Sequence, residues 1–292
     1  MSALDRYDPV AVTVYFMAAA GVAMFSMHPV ILALSLFGAL SLYFTRNGSN
    51  GMRSHALYLL LFLVMALINP LTHHNGVTVL FVLNDNPVTL EACLYGLAAS
   101  GMIVSVLYWF RSYSQIMTSD KLLYLFGRFS PRLALTVSMA LRYIPLFKQQ
   151  AKKVNDAQKA LGLYKDDNPI DAMRGGMRVF SVMVTWALEN GVITADSMAA
   201  RGYGVTRRSF FARRCFGAKD ACLTASALVL ALFSVWPAAF GGVRFVFYPA
   251  LSAVPCDGMS IASYLCYGVL TLLPSLIEWG DELKWRFLKS GI

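Results

Sequence analysis

The sequence predicts an all-α protein: a polytopic bundle of membrane helices with two long crossed helices on the cytoplasmic side. Three observations carry that prediction. Hydrophobic side chains make up 57% of the 292 residues and charged ones only 14%, against about 25% charged in an ordinary soluble domain. Apolar stretches approaching the roughly 20 residues that cross a hydrocarbon core recur along the chain. Between them, from Ser130 to Gly204, a basic section repeats one helical pattern twice.

Membrane spans are expected at Val10 to Met27, Val30 to Phe44, Leu57 to Ile68 with its flanks, Leu90 to Phe110, Ala221 to Phe240 and Ile261 to Ile277. An external excursion from Asn69 to Gly76 holds His73-His74 and leads into Val77 to Leu83, an apolar piece too short to span. Composition divides the chain into N-terminal membrane helices (1–110), a basic helical section (111–219) and a C-terminal membrane hairpin (220–292). That hairpin turns through an external loop holding Pro255, Cys256 and Asp257, and it ends in an amphipathic tail, Glu278 to Leu288. No cleaved signal peptide is expected, because Asp5, Arg6 and Asp8 leave no positive leading region. The five cysteines form no CxxC pair and read as small hydrophobes.

Lys and Arg collect in cytoplasmic loops. With the N-terminus inside, 24 of the 25 basic residues fall on the cytoplasmic side, and only Arg244 lies outside. Topology thus accounts for the formal charge of +9 without a nucleic-acid partner.

Each long helix opens with a capping residue and a proline, Ser130-Pro131 and Asn168-Pro169, and each closes on glycine, Gly162 and Gly202. In the first, Ile144, Phe147, Ala151, Val154, Gln158 and Leu161 form a narrow stripe on a basic rod. In the second, the same stepping runs through Met173, Met177, Phe180, Val184, Ala187, Gly191, Thr194 and Met198. Ala187, Gly191 and Ala195 have the small-xxx-small spacing that lets another helix approach. Together these predict that the two helices, each about 45 to 50 Å long at 1.5 Å per residue, cross near their middles.

The end of the second helix reads Ala199-Ala200-Arg201-Gly202. Arg201 either answers the negative helix terminus at an exposed surface or docks a partner. For docking, the small neighbours narrow the tip and a guanidinium fork suits a carboxylate in a groove. Arg142 and the helix-interior Pro145 read either as a plain kink or as part of a mechanical linkage.

The runs Asn69-Pro70-Leu71, Gly76-Val77-Thr78-Val79-Leu80-Phe81, Asn86-Pro87-Val88-Thr89-Leu90-Glu91-Ala92, Leu141-Arg142-Tyr143-Ile144-Pro145, Ala157-Gln158-Lys159-Ala160 and Ala199 to Gly204 occur in this order. Together they resemble the transmembrane T-component (EcfT, or CbiQ-like) of energy-coupling factor transporters, from about Pro9 to Gly217. The resemblance implies a scaffold in a bacterial cell membrane. Its partners would be two ABC-type ATPases, which bind the ATP and Mg, and a small S-component that captures a vitamin or metal ion. It also implies that the crossed helices are coupling helices whose tips dock in the ATPases. By position, Ala200, Arg201 and Gly202 form one tip, and Ala160, Leu161 and Gly162 the other. Leu161 stands where the family usually has arginine, so either Lys159 supplies the basic contact or that contact is apolar. The asymmetry implies non-identical ATPases. Arg142, Pro145, Ala187 and Gly191 are assigned to the linkage between tips and membrane.

No GxxxxGK[ST] phosphate loop occurs in the chain, so ATP hydrolysis is assigned to partners and no cofactor is expected here. The rival reading is an independent secondary transporter or channel, which would carry ionisable groups inside its spans. Only Glu91, Arg111 and Glu278 come near, at span edges. An intramembrane enzyme would need a nucleophile with its base or a metal cluster, and His73-His74 lacks supporting ligands. Trp109, Trp236 and Trp279 are read as interface anchors, and the fourteen methionines either as core filler, the simpler account, or as an adaptable platform for the S-component.

Overall fold

The computed structural model describes residues 3–48, 52–73, 76–83, 86–163, 169–205, 216–239, 245–249 and 251–290. His74, Asn168, Cys215, Phe240 and Arg244 lie outside them. The chain forms two compact units, residues 1–122 with 215–292, and residues 123–214. The N-terminal helices and the C-terminal hairpin, separate in sequence, thus pack as one body.

In the first unit, a 3-10 turn at Ala3–Arg6 precedes α1 (Pro9–Phe25), α2 (Pro29–Asn47), α3 (Met52–Thr72) and α4 (Leu90–Ile116). The starts of α1 and α4 follow capping rules. Asp8 accepts the Val10 N–H at 2.8 Å ahead of Pro9, and Thr89 accepts the Ala92 N–H at 3.3 Å ahead of α4. Between α3 and α4 the short apolar piece becomes an antiparallel hairpin, β1 (Val79–Leu83) and β2 (Asn86–Thr89), with Val79 opposite Thr89 and Leu83 opposite Asn86. The β-branched and large apolar residues of Val79–Leu83 suit a strand here. α4 continues six residues past Phe110 to Ile116, and α5 (Ser119–Phe129) follows. α8 (Ala218–Ala239) and α9 (Gly258–Ser290) complete the unit.

Among the described residues, five helices are long and apolar enough to span a membrane, and α1 is a shorter apolar helix of 17 residues. They close a ring: α1 packs on α4 and α8, α2 on α4 and α9, and α8 on α9, with α3 laid outside against α4. Close approaches set this arrangement. A Cβ on Gly38 of α2 would lie 2.4 Å from the Cβ of Thr271 on α9, and one on Gly96 of α4 would lie 2.9 Å from the Ala66 carbonyl of α3.

The core is aromatic and hydrogen-bonded. Phe16 meets Trp109 edge-on at 5.7 Å, Trp109 Nε1 donates to Ser35 Oγ at 3.1 Å, and the Tyr267 hydroxyl donates to the Ala19 carbonyl at 3.1 Å. The Tyr15 hydroxyl donates to the Leu270 carbonyl. Trp109, expected at an interface, is therefore buried; its ring fills the bundle centre and its N–H finds a partner there. Trp236 and Trp279 are exposed on the protein. Methionine is not core filler: none is among the buried side chains described, and Met173 and Met177 are about two-thirds exposed, at 69% and 66%.

Charged side chains tie one end of the bundle. Arg46, at the end of α2, pairs with Glu278 of α9 at 3.0 Å and with Asp5 at 3.6 Å. Lys121 reaches Asp5 at 3.9 Å and donates to the Ile116 carbonyl at 3.0 Å, while Arg6 pairs with Asp281 at 3.0 Å. The span-edge Glu278 therefore neutralises a partly buried arginine, which leaves neither charge alone in a poorly solvated place.

In the second unit α5 leads into α6 (Pro131–Ala160) and α7 (Pro169–Ala200). Pro131 and Pro169 stand at the helix starts, as expected, although Ser130 adopts the extended cap conformation without a side-chain cap bond.

Candidate docking tips of the two long helices

α6 and α7 meet over a short stretch near their middles. Phe147 packs edge-on against Trp186 with centroids 5.5 Å apart, and it stacks on Tyr143 of its own helix. The Tyr143 and Thr194 hydroxyls lie 2.6 Å apart. Thr194 gives its single hydroxyl proton to the Asn190 carbonyl at 2.7 Å, so Tyr143 is the donor between the helices. Moving along α6 from Tyr143 to Phe147 moves backward along α7 from Thr194 to Trp186, so the helices pass the crossing in opposing senses.

The expected stripe on α6 holds for Phe147, Ala151, Val154 and Gln158, with Gln158 buried, but Ile144 is 61% exposed. On α7 the expected stripe is largely turned outward: Met173, Met177, Phe180 and Val184 are exposed, and Gly175 is the buried position. Ala187 is half-buried beside the contact, whereas Gly191 is exposed, with open space where a side chain would lie. Aromatic and hydroxyl groups make this crossing, and Gly191 does not. Pro145 lies between Tyr143 and Phe147 on the exposed side of α6, where it cannot donate to the Leu141 carbonyl, and Arg142 is exposed beside it.

The two helix ends are the same structure built from different side chains. At the end of α6 the Gly162 N–H donates to the Lys159 carbonyl at 3.0 Å and the Leu163 N–H to the Gln158 carbonyl at 3.2 Å. At the end of α7 the Gly202 N–H donates to the Ala199 carbonyl at 3.0 Å and the Tyr203 N–H to the Met198 carbonyl at 3.1 Å. This is the Schellman pattern, and it needs a left-handed residue: φ is +69° at Gly162 and +73° at Gly202. A further left-handed glycine, Gly204 at φ +96°, follows only the second tip.

The hydrogen bonds pair the positions without reference to any relative. Ala160 matches Ala200, Leu161 matches Arg201, and Lys159 matches Ala199. Lys159 lies two residues before Leu161, about 200° around the helix, so it presents its charge on nearly the opposite side. Leu161 is 75% exposed, and Arg201 is exposed with no side-chain hydrogen bond or ion pair among the described residues. Along the helix axes, the α6 tip is about 20 Å from the crossing and the α7 tip about 15 Å.

Sequence reasoning passed over Leu163 and Val205 and quoted Tyr203 only within the run Ala199 to Gly204; these three, shortly beyond the tip glycines, are 48%, 81% and 52% exposed. The signal was present, because the residue after a Schellman glycine is commonly apolar. Each tip therefore displays a small residue, one variable residue, a left-handed glycine and an apolar residue in the same backbone geometry. One tip thus ends on a cationic residue and the other on an apolar one.

A search of curated proteins finds no match to this chain. The profile of the CbiQ family, described as cobalt transport protein, matches residues 2–210, which take in the membrane helices α1 to α4 and both tips. With a match over well more than half its length, the chain belongs to the CbiQ cobalt transport protein family, as a membrane component of a transport system.

Proposed function

We propose that this chain is the non-catalytic transmembrane scaffold of an energy-coupling-factor importer. It couples ATP binding and hydrolysis by two partner ATPases to uptake of a micronutrient, a vitamin or a metal ion, through a small S-component. The family description names cobalt, which makes a cobalt ion or a cobalt-containing vitamin the first cargo to test. The N-terminus and the long helices are assigned to the cytoplasm, on the bias of Lys and Arg toward that side.

The observation that carries the reading is the pair of matched Schellman tips, one ending on exposed Leu161 and the other on exposed Arg201. When the ATPases close on ATP, each carries its docked tip with it. A rod held at an aromatic crossing transmits that displacement as a change of angle. Different residues at matched positions fit two non-identical ATPases, an apolar groove for Leu161 and a carboxylate-bearing groove for Arg201.

The test is a mild-detergent pull-down of the tagged chain from its native host with mass spectrometry, alongside Arg201→Glu. Two ATPases and a small membrane protein with the wild type, and an ATPase lost with the variant, support the coupling role. A chain recovered alone that transports when reconstituted by itself overturns it in favour of an independent secondary transporter or channel.

A further inference from the structure

The end of the bundle bearing Arg6, Arg46 and Lys121 also holds a cleft of about 830 Å³, between the N-terminal turn, the start of α8 and the stretch of α9 beyond Pro274. Leu276 and Ile277 give it an apolar wall, and Arg6, Lys219 and Lys284 bring cations from three separate elements. Its two acidic residues are held in place, Asp220 by backbone amides and Asp281 by an arginine. Asp220 accepts the Asp8 N–H at 2.8 Å through one oxygen and the Gly217 N–H at 3.0 Å through the other, and Asp281 pairs with Arg6 at 3.0 Å. Lys219 and Lys284 have no ion pair or side-chain hydrogen bond among the described residues. The lining thus sets three cations against two carboxylates beside an apolar wall, with neither lysine held in an ion pair.

The depth of the cleft sets the kind of occupant. Ile277 is the last residue of the apolar run of α9 before Glu278, and Ala218 opens α8, so the cleft lies where hydrocarbon gives way to headgroups. Trp279 and Trp285 emerge from the same stretch of α9, 59% and 53% exposed, as side chains that favour this boundary do. A soluble anion needs cations but gains nothing from Leu276; a lipid uses both. Basic pockets between membrane helices at this level suit anionic headgroups. We propose that this cleft binds an anionic phospholipid, its phosphate held between Lys219 and Lys284 and an acyl chain lying along Leu276. Tyr7, also in the wall, keeps its proton as a neutral donor, because burial and then the nearby Asp220 push its phenol above the ordinary value. The inference rests on the membrane location of the chain and not on its coupling to ATPases.

The full chain, purified in mild detergent, is titrated in native mass spectrometry with dioleoylphosphatidylglycerol, dioleoylphosphatidylcholine or inorganic phosphate. The wild type should bind the glycerol lipid several-fold tighter than the choline lipid, the scale that an excess of about one cation supplies. K219Q/K284Q should lose that preference, K219R/K284R should keep it, and K152Q/K153Q, on the exposed side of α6, should leave it unchanged. Should the double variant fail to fold, K219Q and K284Q are measured singly, and each should lose part of the preference. Equal binding of the two lipids by the wild type, a preference surviving in K219Q/K284Q, or one lost equally in K152Q/K153Q would overturn the proposal. Competition by inorganic phosphate at the concentration of the lipid would overturn the lipid as occupant.

Discussion

Arg201→Glu separates docking from folding because the two effects differ in size. Arg201 is exposed and makes no side-chain hydrogen bond or ion pair among the described residues, so its removal takes little from the isolated chain. A carboxylate in the last turn of α7 opposes the helix terminus, at a cost of about 0.3 to 1 kcal/mol. Docked against an acidic groove, the same change removes a desolvated charge pair and sets like charges together, a loss of about 2 to 5 kcal/mol. At about 1.4 kcal/mol per tenfold, the affinity for one ATPase should fall about 30-fold or more. The assay is titration of purified ATPase onto detergent-solubilised chain, with a melting curve of the chain alone as control. Arg201→Lys should recover only part of the affinity, since an ammonium lacks the planar fork. Affinity within about threefold of wild type, with the chain intact, would refute docking through Arg201, because that corresponds to well under 1 kcal/mol.

Other changes probe the remaining parts. Leu161→Glu should weaken the other tip and leave binding at the Arg201 tip intact, visible as loss of one ATPase and not both in co-purification. Gly202→Ala meets no neighbour within 4 Å but places a side chain at φ +73°; it should cost about 1 to 2 kcal/mol locally, seen as faster amide exchange at Tyr203 and weaker ATPase binding. Gly38→Ala drives a Cβ to 2.4 Å from the Thr271 Cβ and 2.9 Å from its carbonyl oxygen. Overpacking of about 1 to 3 kcal/mol should lower the melting temperature in detergent by several degrees; an unchanged melting temperature would refute the close approach of α2 and α9. His28, 1% exposed between α1 and α2, meets the Tyr264 hydroxyl at 3.0 Å, and burial lowers its pKa from the ordinary 6.5. Above that value the imidazole is neutral in both folded and unfolded chains. As pH falls below 6.5 the unfolded chain takes the proton first, so stability is lost. Melting temperatures at pH 7.5 and 5.0 should differ more for wild type than for His28→Gln.

The sequence by itself determined the parts governed by local chemistry. Apolar runs long enough to span, and charges gathered between them, specify a membrane protein whatever its packing. A proline start and a glycine stop specify each long helix, because a left-handed terminal residue is a property of the backbone at that position. That is why Gly162 and Gly202 were legible, and why Leu161 and Arg201 could be matched. Tertiary structure decided which apolar faces are inside. Met173, Met177 and Phe180 repeat with the period of a buried stripe, yet they face outward, since periodicity states that a face is apolar and not what covers it. The crossing lies on Tyr143, Phe147, Trp186 and Thr194, whose suitability appears only when both helices are in place. Trp109 looked like an anchor until Ser35, 74 residues earlier, supplied a partner for its N–H in the core. The C-terminal hairpin carried no legible motif, because its role depends on Gly38 admitting Thr271 and on Arg46 meeting Glu278. Those pairs are more than 230 residues apart in the chain, and only closure of the ring brings them within contact.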